Sequence, residues 1–173
     1  MSNIYTIGTK GWSAKVFLQI VYTIGVRTLF DVRLCPTSRC NTFACGKATG
    51  YLYRKLPGVH IVRASDLAPD TDLLGAYRKS GDWDKFSGDY MTLIQKRSEN
   101  LMAFEPFWSG RHDIILLCSE HKPDRCYRSL AARYIAEKAW ENLHVDLIVK
   151  HIIASSDLVY EEEEEMPGCT SGL

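Results

Sequence analysis

The sequence predicts a single three-layer α/β domain of Rossmann-like kind, with a mainly parallel sheet and helices on both faces. Short apolar, β-rich runs alternate along the chain with segments whose apolar residues recur at helical spacing. That is the pattern of strands joined by right-handed crossover helices. The most apolar run, Asp113 to Cys118, is placed at the centre of the sheet. A chain of 173 residues is the size of one domain and large enough to bury most of its apolar surface.

The elements follow in order. Ile4-Tyr-Thr-Ile-Gly8 is a first strand ending at a glycine. Ser13 caps a helix in which Val16, Phe17, Ile20, Val21 and Ile24 share a face, and Gly25 ends it. Thr28 to Arg33 is the second strand. Leu34 to Leu56, interrupted by Pro36, Gly46 and Gly50, is a long loop holding a short helix. Val59 to Val62 is a third strand, followed by a loop through Pro69. Residues 83 to 108 are mainly helical, with Phe86, Tyr90, Leu93 and Ile94 facing inward. After the central strand, Asp124 to Ala139 is a helix with Leu130, Ala131, Tyr134 and Ile135 at core spacing, and Leu143 to Val149 is a last strand. Trp12, Trp83, Trp108 and Trp140 read as core or half-buried aromatics. The domain spans 1–157, and 158–173 is an acidic, disordered tail.

Lys plus Arg and Asp plus Glu both total 21, but five of the acids are Glu161 to Glu165. Without them 16 acids face 21 basic residues, a mildly basic body that suits an anionic ligand and falls short of a nucleic-acid footprint. No apolar run has the length of a membrane span, and the amino terminus lacks the features of a signal peptide. The expectation is a cytoplasmic protein with no membrane contact, whose six cysteines are reduced thiols.

The segment from Asp113 to Ser129 is the richest in chemistry. An apolar strand stops at Cys118, a polar loop follows, and Arg125, Cys126 and Arg128 open a helix. Carboxyl ends of strands facing helix amino ends are where α/β proteins bind ligands, because unpaired N–H groups and the helix dipole attract anions. A thiolate at Cys118 would be stabilised by the same dipole and by Arg125 or Arg128. The competing reading is an inert, buried strand cysteine. Glu120 and His121 stand where an acid or base beside Cys118 would stand, although His121 in a polar loop is more simply a solvated residue. The spacing Cys118-x6-Arg125 misses the Cys-x5-Arg loop of cysteine phosphatases by one residue and lacks its glycines, which argues against that chemistry. Whether the loop between Cys118 and Cys126 brings the two thiols together is not legible.

A second group lies at the end of the second strand, where Asp31-Val-Arg33 precedes Pro36, Ser38 and Arg39. Arg33 and Arg39 are suited to forked hydrogen bonds with phosphate or carboxylate. The alternative is that Asp31 and Arg33 pair with neighbours. Cys35, Cys40 and Cys45 recur at Cys-x4-Cys-x4-Cys, but His60 is the only convenient fourth ligand, so no metal is assigned. No cofactor is assigned either.

Asp31-Val-Arg33 with Pro36, Ser38-Arg39, Asn41 and Phe43, together with Leu117-Cys118-x-Glu120 and Asp124-Arg125-Cys126-x-Arg128-Ser129-Leu130, resembles the two signatures of the family called domain of unknown function 488. Tyr5-Thr-Ile-Gly8 is similar to its opening strand, and the likeness runs from Ile4 to about Ile152. Tyr127 replaces the histidine that the family usually has between cysteine and arginine. Ile61, Arg63, Ser65 and Ala68 stand where relatives tend to have Tyr, His, Pro and Gly. None of Cys35, Cys40 or Cys45 falls on a signature position. The resemblance implies an α/β fold and one site built from both signatures; it brings no reaction with it.

These readings converge on one anion-recognising site. Asp31, Arg33, Ser38 and Arg39 come from one strand-end loop, and Arg125, Cys126, Arg128 and Ser129 from another, with Cys118 as nucleophile or pocket wall and Glu120 as acid or base. The first expectation is an enzyme acting on a nucleotide or phosphorylated small molecule. The second is a non-catalytic nucleic-acid or nucleotide-binding module. The third is a structural domain in which the signature residues form a buried ion network, with Asp31 paired to Arg128.

Overall fold

A computed structural model describes residues 2–34, 54–97 and 112–154. The predicted short helix within 34–56, the carboxyl-terminal part of the helical segment 83–108 and the acidic tail fall largely or wholly outside them.

Strands β1 (Ser2–Gly8), β2 (Thr28–Asp31), β3 (His60–Arg63), β4 (Ile114–Cys118) and β5 (Leu147–Ile152) form one sheet in the order β3-β2-β4-β1-β5. Every pairing is parallel. β4 is buried at all five positions and lies at the centre, as its uninterrupted apolar run predicts. β5 and β3, at the edges, carry exposed positions. Because β4 inserts between β1 and β2, the carboxyl ends of these three strands lie side by side. Gly8 pairs with Cys118, and Asp31 pairs with Leu117 on one flank and Arg63 on the other. Asp31 and Cys118, strand-end residues of the two signatures, therefore lie at the same end of the sheet.

Alternation along the strands divides the core. Ile7, Leu29, Ile115 and Leu117 face helix α1 (Ala14–Ile24), which presents Phe17 and Val21 to them. The Ser13 hydroxyl accepts the Val16 N–H at 3.3 Å, and Gly25, at φ 72°, supplies the left-handed residue that ends the helix. On the opposite face Ile4, Phe30, Ile114, Leu116 and Cys118 pack with Phe86, Tyr90 and Ile94 of helix α3 (Trp83–Lys96) and with Leu130, Ala131, Tyr134 and Ile135 of helix α4 (Tyr127–Leu143). Helices thus cover both faces. Among the described residues, no helix is long and apolar enough to cross a membrane.

Four details differ from the sequence reading. Helix α2 (Thr71–Ser80) was unassigned; it buries no residue fully, and Leu73, Leu74 and Tyr77 only lean on the core, so its periodicity is faint. α4 starts at Tyr127, three residues later than expected, because 123–126 form a turn in which the Cys126 N–H donates to the Pro123 carbonyl at 3.2 Å. β5 starts at Leu147 instead of Leu143, because α4 runs on to Leu143 and ends at a left-handed His144. Trp140 is exposed on α4, outside the core it was expected to join.

Gly8 has a steric role at this end of the sheet. A Cβ placed there would lie 1.7 Å from the Glu120 carbonyl oxygen, which is itself held by the buried Arg128. Gly8→Ala is therefore expected to displace the loop after β4 and destabilise the fold by about 1–3 kcal/mol, measurable by chemical denaturation.

Candidate functional site

The end of β2 carries a buried ion network. Asp31 is fully buried, and the Arg33 guanidinium grips it through two 2.8 Å bonds, Nε to Oδ1 and a terminal nitrogen to Oδ2. The Arg33 backbone N–H adds a third bond to Oδ1 at 3.1 Å. From β3, Arg63 reaches Asp31 Oδ1 at 3.3 Å and donates to the backbone carbonyls of Asp31 and Leu34 at 2.9 and 3.0 Å. The fork of Arg33, expected to face a ligand, is instead turned onto the carboxylate two residues before it. Arg63, singled out in the sequence only as a departure from relatives, completes the pair. Among the described residues Asp31 pairs with Arg33 and Arg63, and not with Arg128 as the third expectation had it.

Arg128, on the first turn of α4 and fully buried, holds the loop after β4. Its guanidinium donates to the carbonyl oxygens of Glu120 and of His121, the latter at 3.1 Å, and lies 3.6 Å from Cys126 Sγ. Its Nε is buried with no hydrogen-bond partner among the described residues. Ser129 closes the same turn, its hydroxyl donating to the Pro123 carbonyl at 2.8 Å.

Between these networks and the α3–α4 layer lie two thiols. Cys118 ends β4 and Cys126 precedes the first residue of α4; both are buried and free, with their sulfurs 3.6 Å apart. The Cys118 thiol is lowered from its ordinary 9.0 to about 6. The largest cause is the hydrogen bond from Cys126, and burial opposes it. The Tyr127 hydroxyl, the Glu120 backbone N–H and the positive charge of Arg128 add to the lowering. Cys126 moves the opposite way, held protonated by its bond to Cys118, by burial and by the neighbouring negative charge. Tyr127 is likewise raised, by burial first and then by the charge on Cys118, and packs 5.9 Å from Tyr90. The donors around Cys118 thus favour its ionised form, while Cys126 is held protonated. Tyr127 occupies the position that departs from the family's histidine, and it still supplies a hydrogen bond to the sulfur.

The remaining site residues face outward. The Glu120 carboxylate bonds Lys10 Nζ at 3.0 Å on the surface, so only its backbone N–H serves Cys118. Arg125 is exposed at φ 52°, a left-handed conformation unusual outside glycine. Ser38, Arg39 and the three cysteines Cys35, Cys40 and Cys45 lie outside the described residues. The sequence reading missed Tyr127 as a donor, Arg63 as a partner of Asp31 and Gly8 as the residue that admits the Glu120 carbonyl. Adjacency to Cys126 was the available signal for Tyr127. For the other two, strand order had to be known.

The structure is a parallel α/β domain with a buried arginine–carboxylate network and two buried thiols at the end of its central strand. The chain belongs to the family described as Domain of unknown function DUF488, whose model matches residues 13–135. That match takes in both signatures and stops short of β1 and β5. No curated protein and no solved structure matches the chain.

Proposed function

We propose that the chain is an enzyme that recognises a phosphate-containing small molecule or nucleotide at the carboxyl edge of β1, β4 and β2. The observation that carries this reading is the buried Cys118 sulfur at a strand end facing α4, 3.6 Å from Cys126 Sγ, where Cys126, Tyr127 and the Glu120 N–H favour its ionised form. A thiolate is the nucleophilic form of cysteine. Arg33 and Arg128 act as positioning residues that shape the crevice, and the anion falls to Arg125 beside the amino end of α4. A left-handed non-glycine residue costs on the order of 1–3 kcal/mol and persists where its surroundings enforce it. Here that conformation sets an exposed guanidinium directly before the buried thiol pair. Phosphate and thiolate repel, so the reading puts phosphate on Arg125 and an electrophilic centre of the same ligand at the sulfur. Because Cys118 is buried, entry requires the 119–126 segment to open.

Titration calorimetry with inorganic phosphate and a nucleotide panel tests this. Arg125→Ala is expected to weaken binding by about ten- to a hundredfold, the loss of one charge-assisted hydrogen bond, with the melting temperature unchanged. No heat of binding with the parent protein would remove the anion reading.

A further inference from the structure

Cys118 and Cys126 are more than a thiolate and its donor. Their sulfurs stand 3.6 Å apart, and a disulfide requires about 2.05 Å, so the pair is one side-chain adjustment from bonding. The two thiols differ in role. Cys118 is fixed at the end of the central strand, whereas Cys126 sits in extended conformation (φ −124°, ψ 131°) at the mouth of α4, next to the left-handed Arg125.

We propose that Cys118 and Cys126 form a redox pair that closes to a disulfide when a hydroperoxide reaches Cys118. The Cys118 thiolate attacks the peroxide oxygen, the O–O bond breaks, and hydroxide leaves and takes up a proton to become water. Cys118 is now a sulfenic acid. Cys126 attacks its sulfur, the S–OH bond breaks, and the Cys126 proton leaves with that hydroxide as a second water. Two thiols and one hydrogen peroxide thus give one disulfide and two waters; sulfur is oxidised and peroxide reduced.

The environment favours this order. Cys118 is the thiol lowered by its neighbours, so it reacts first. Besides burial, which persists, the resting Cys126 is held protonated by its hydrogen bond to Cys118, the largest cause, and by that residue's charge. Conversion of the thiolate to a neutral sulfenic acid removes both influences. The influences that lower Cys126, the Arg128 charge and the Arg128 backbone N–H, remain. The first oxidation thereby prepares the second thiol. This inference does not rest on anion recognition, since it needs no ligand other than peroxide.

The test uses the full chain and a variant in which Cys35, Cys40, Cys45 and Cys169 are replaced by serine. Each is reduced, freed of reductant and treated with one equivalent of hydrogen peroxide. Tryptic digestion should yield the peptide His112–Arg125 linked to Cys126–Arg128, a species that reduction separates. In Cys126→Ser the sulfenic acid has no partner, so labelling of Cys118 by dimedone should rise at least tenfold over the parent. Two results would overturn the proposal: Cys118 and Cys126 both remaining alkylatable after peroxide is consumed, or Cys118 passing to sulfinic acid in the parent with Cys126 still free. If Cys126→Ser does not fold, the linked peptide in the parent decides alone.

Discussion

Arg33→Ala should lower the melting temperature by about 6–12 °C, corresponding to ~3 kcal/mol in a domain of this size. Asp31 is fully buried, and Arg33 supplies a forked pair of 2.8 Å bonds to its two oxygens. Removing the guanidinium takes the closest cation from a buried carboxylate, whose contact with Arg63 is longer, at 3.3 Å, and comes from a partly exposed side chain. That residual partner keeps the loss at the lower end of the range for broken buried pairs. Exchanging both partners for apolar residues of similar volume, Asp31→Leu with Arg33→Met, should recover part of the loss, because no buried charge is then left alone. Scanning calorimetry on the parent, the single and the double variant measures this. An unchanged melting temperature together with lost anion binding would make Arg33 a ligand after all.

Arg128→Ala should be at least as damaging. Two part-buried backbone carbonyls, of Glu120 and His121, lose their donor, and the buried guanidinium that anchors the loop after β4 is gone, at a combined cost of about 3 kcal/mol. The same change removes a positive charge that lowers Cys118, so the thiol should titrate higher than in the parent. Arg128→Lys should not restore stability, since a single ammonium cannot reproduce a planar fork across two carbonyls. Denaturant unfolding and thiol titration on both variants check the two effects together.

The sequence carried the layered fold well because burial imposes it locally. The all-apolar run before Cys118 could belong only to an interior strand, and Ser13 and Gly25 bracket α1 through capping chemistry that is written in single residues. Helix α2 escaped because it lies on the surface with no fully buried side chain to set a period. The placement of the candidate residues was legible, and their contacts less so. Asp31, Arg33, Cys118, Cys126 and Arg128 all lie at the ends of β2 and β4 and the start of α4, as their positions implied. Which arginine meets which acceptor depends on strand order and on loop geometry, and residue type cannot fix either. Arg33 was weighed as a ligand against pairing with neighbours, and one dimension gave no sign that Asp31, two positions earlier, would be enclosed with it. Glu120 looked like an acid or base beside the thiol, yet its side chain turns to Lys10 while its backbone does the work.

The thiolate also sets a pH dependence of stability. Cys118 is lowered in the fold, so its contribution is present above its ordinary 9.0 and is lost as the pH falls toward and through about 6. Cys126 is raised, so its contribution holds below its ordinary value and declines at higher pH. Stability should therefore climb from about pH 6 toward 9 and fall beyond it.

Ultraviolet thiolate absorbance of the reduced full chain, followed against pH beside Cys118→Ser, tests the poised sulfur most directly. One thiolate should appear with a midpoint near 6 in the parent and be missing from the variant. A parent whose thiols all remain protonated until about pH 8.5, the range of an unperturbed cysteine, would contradict it.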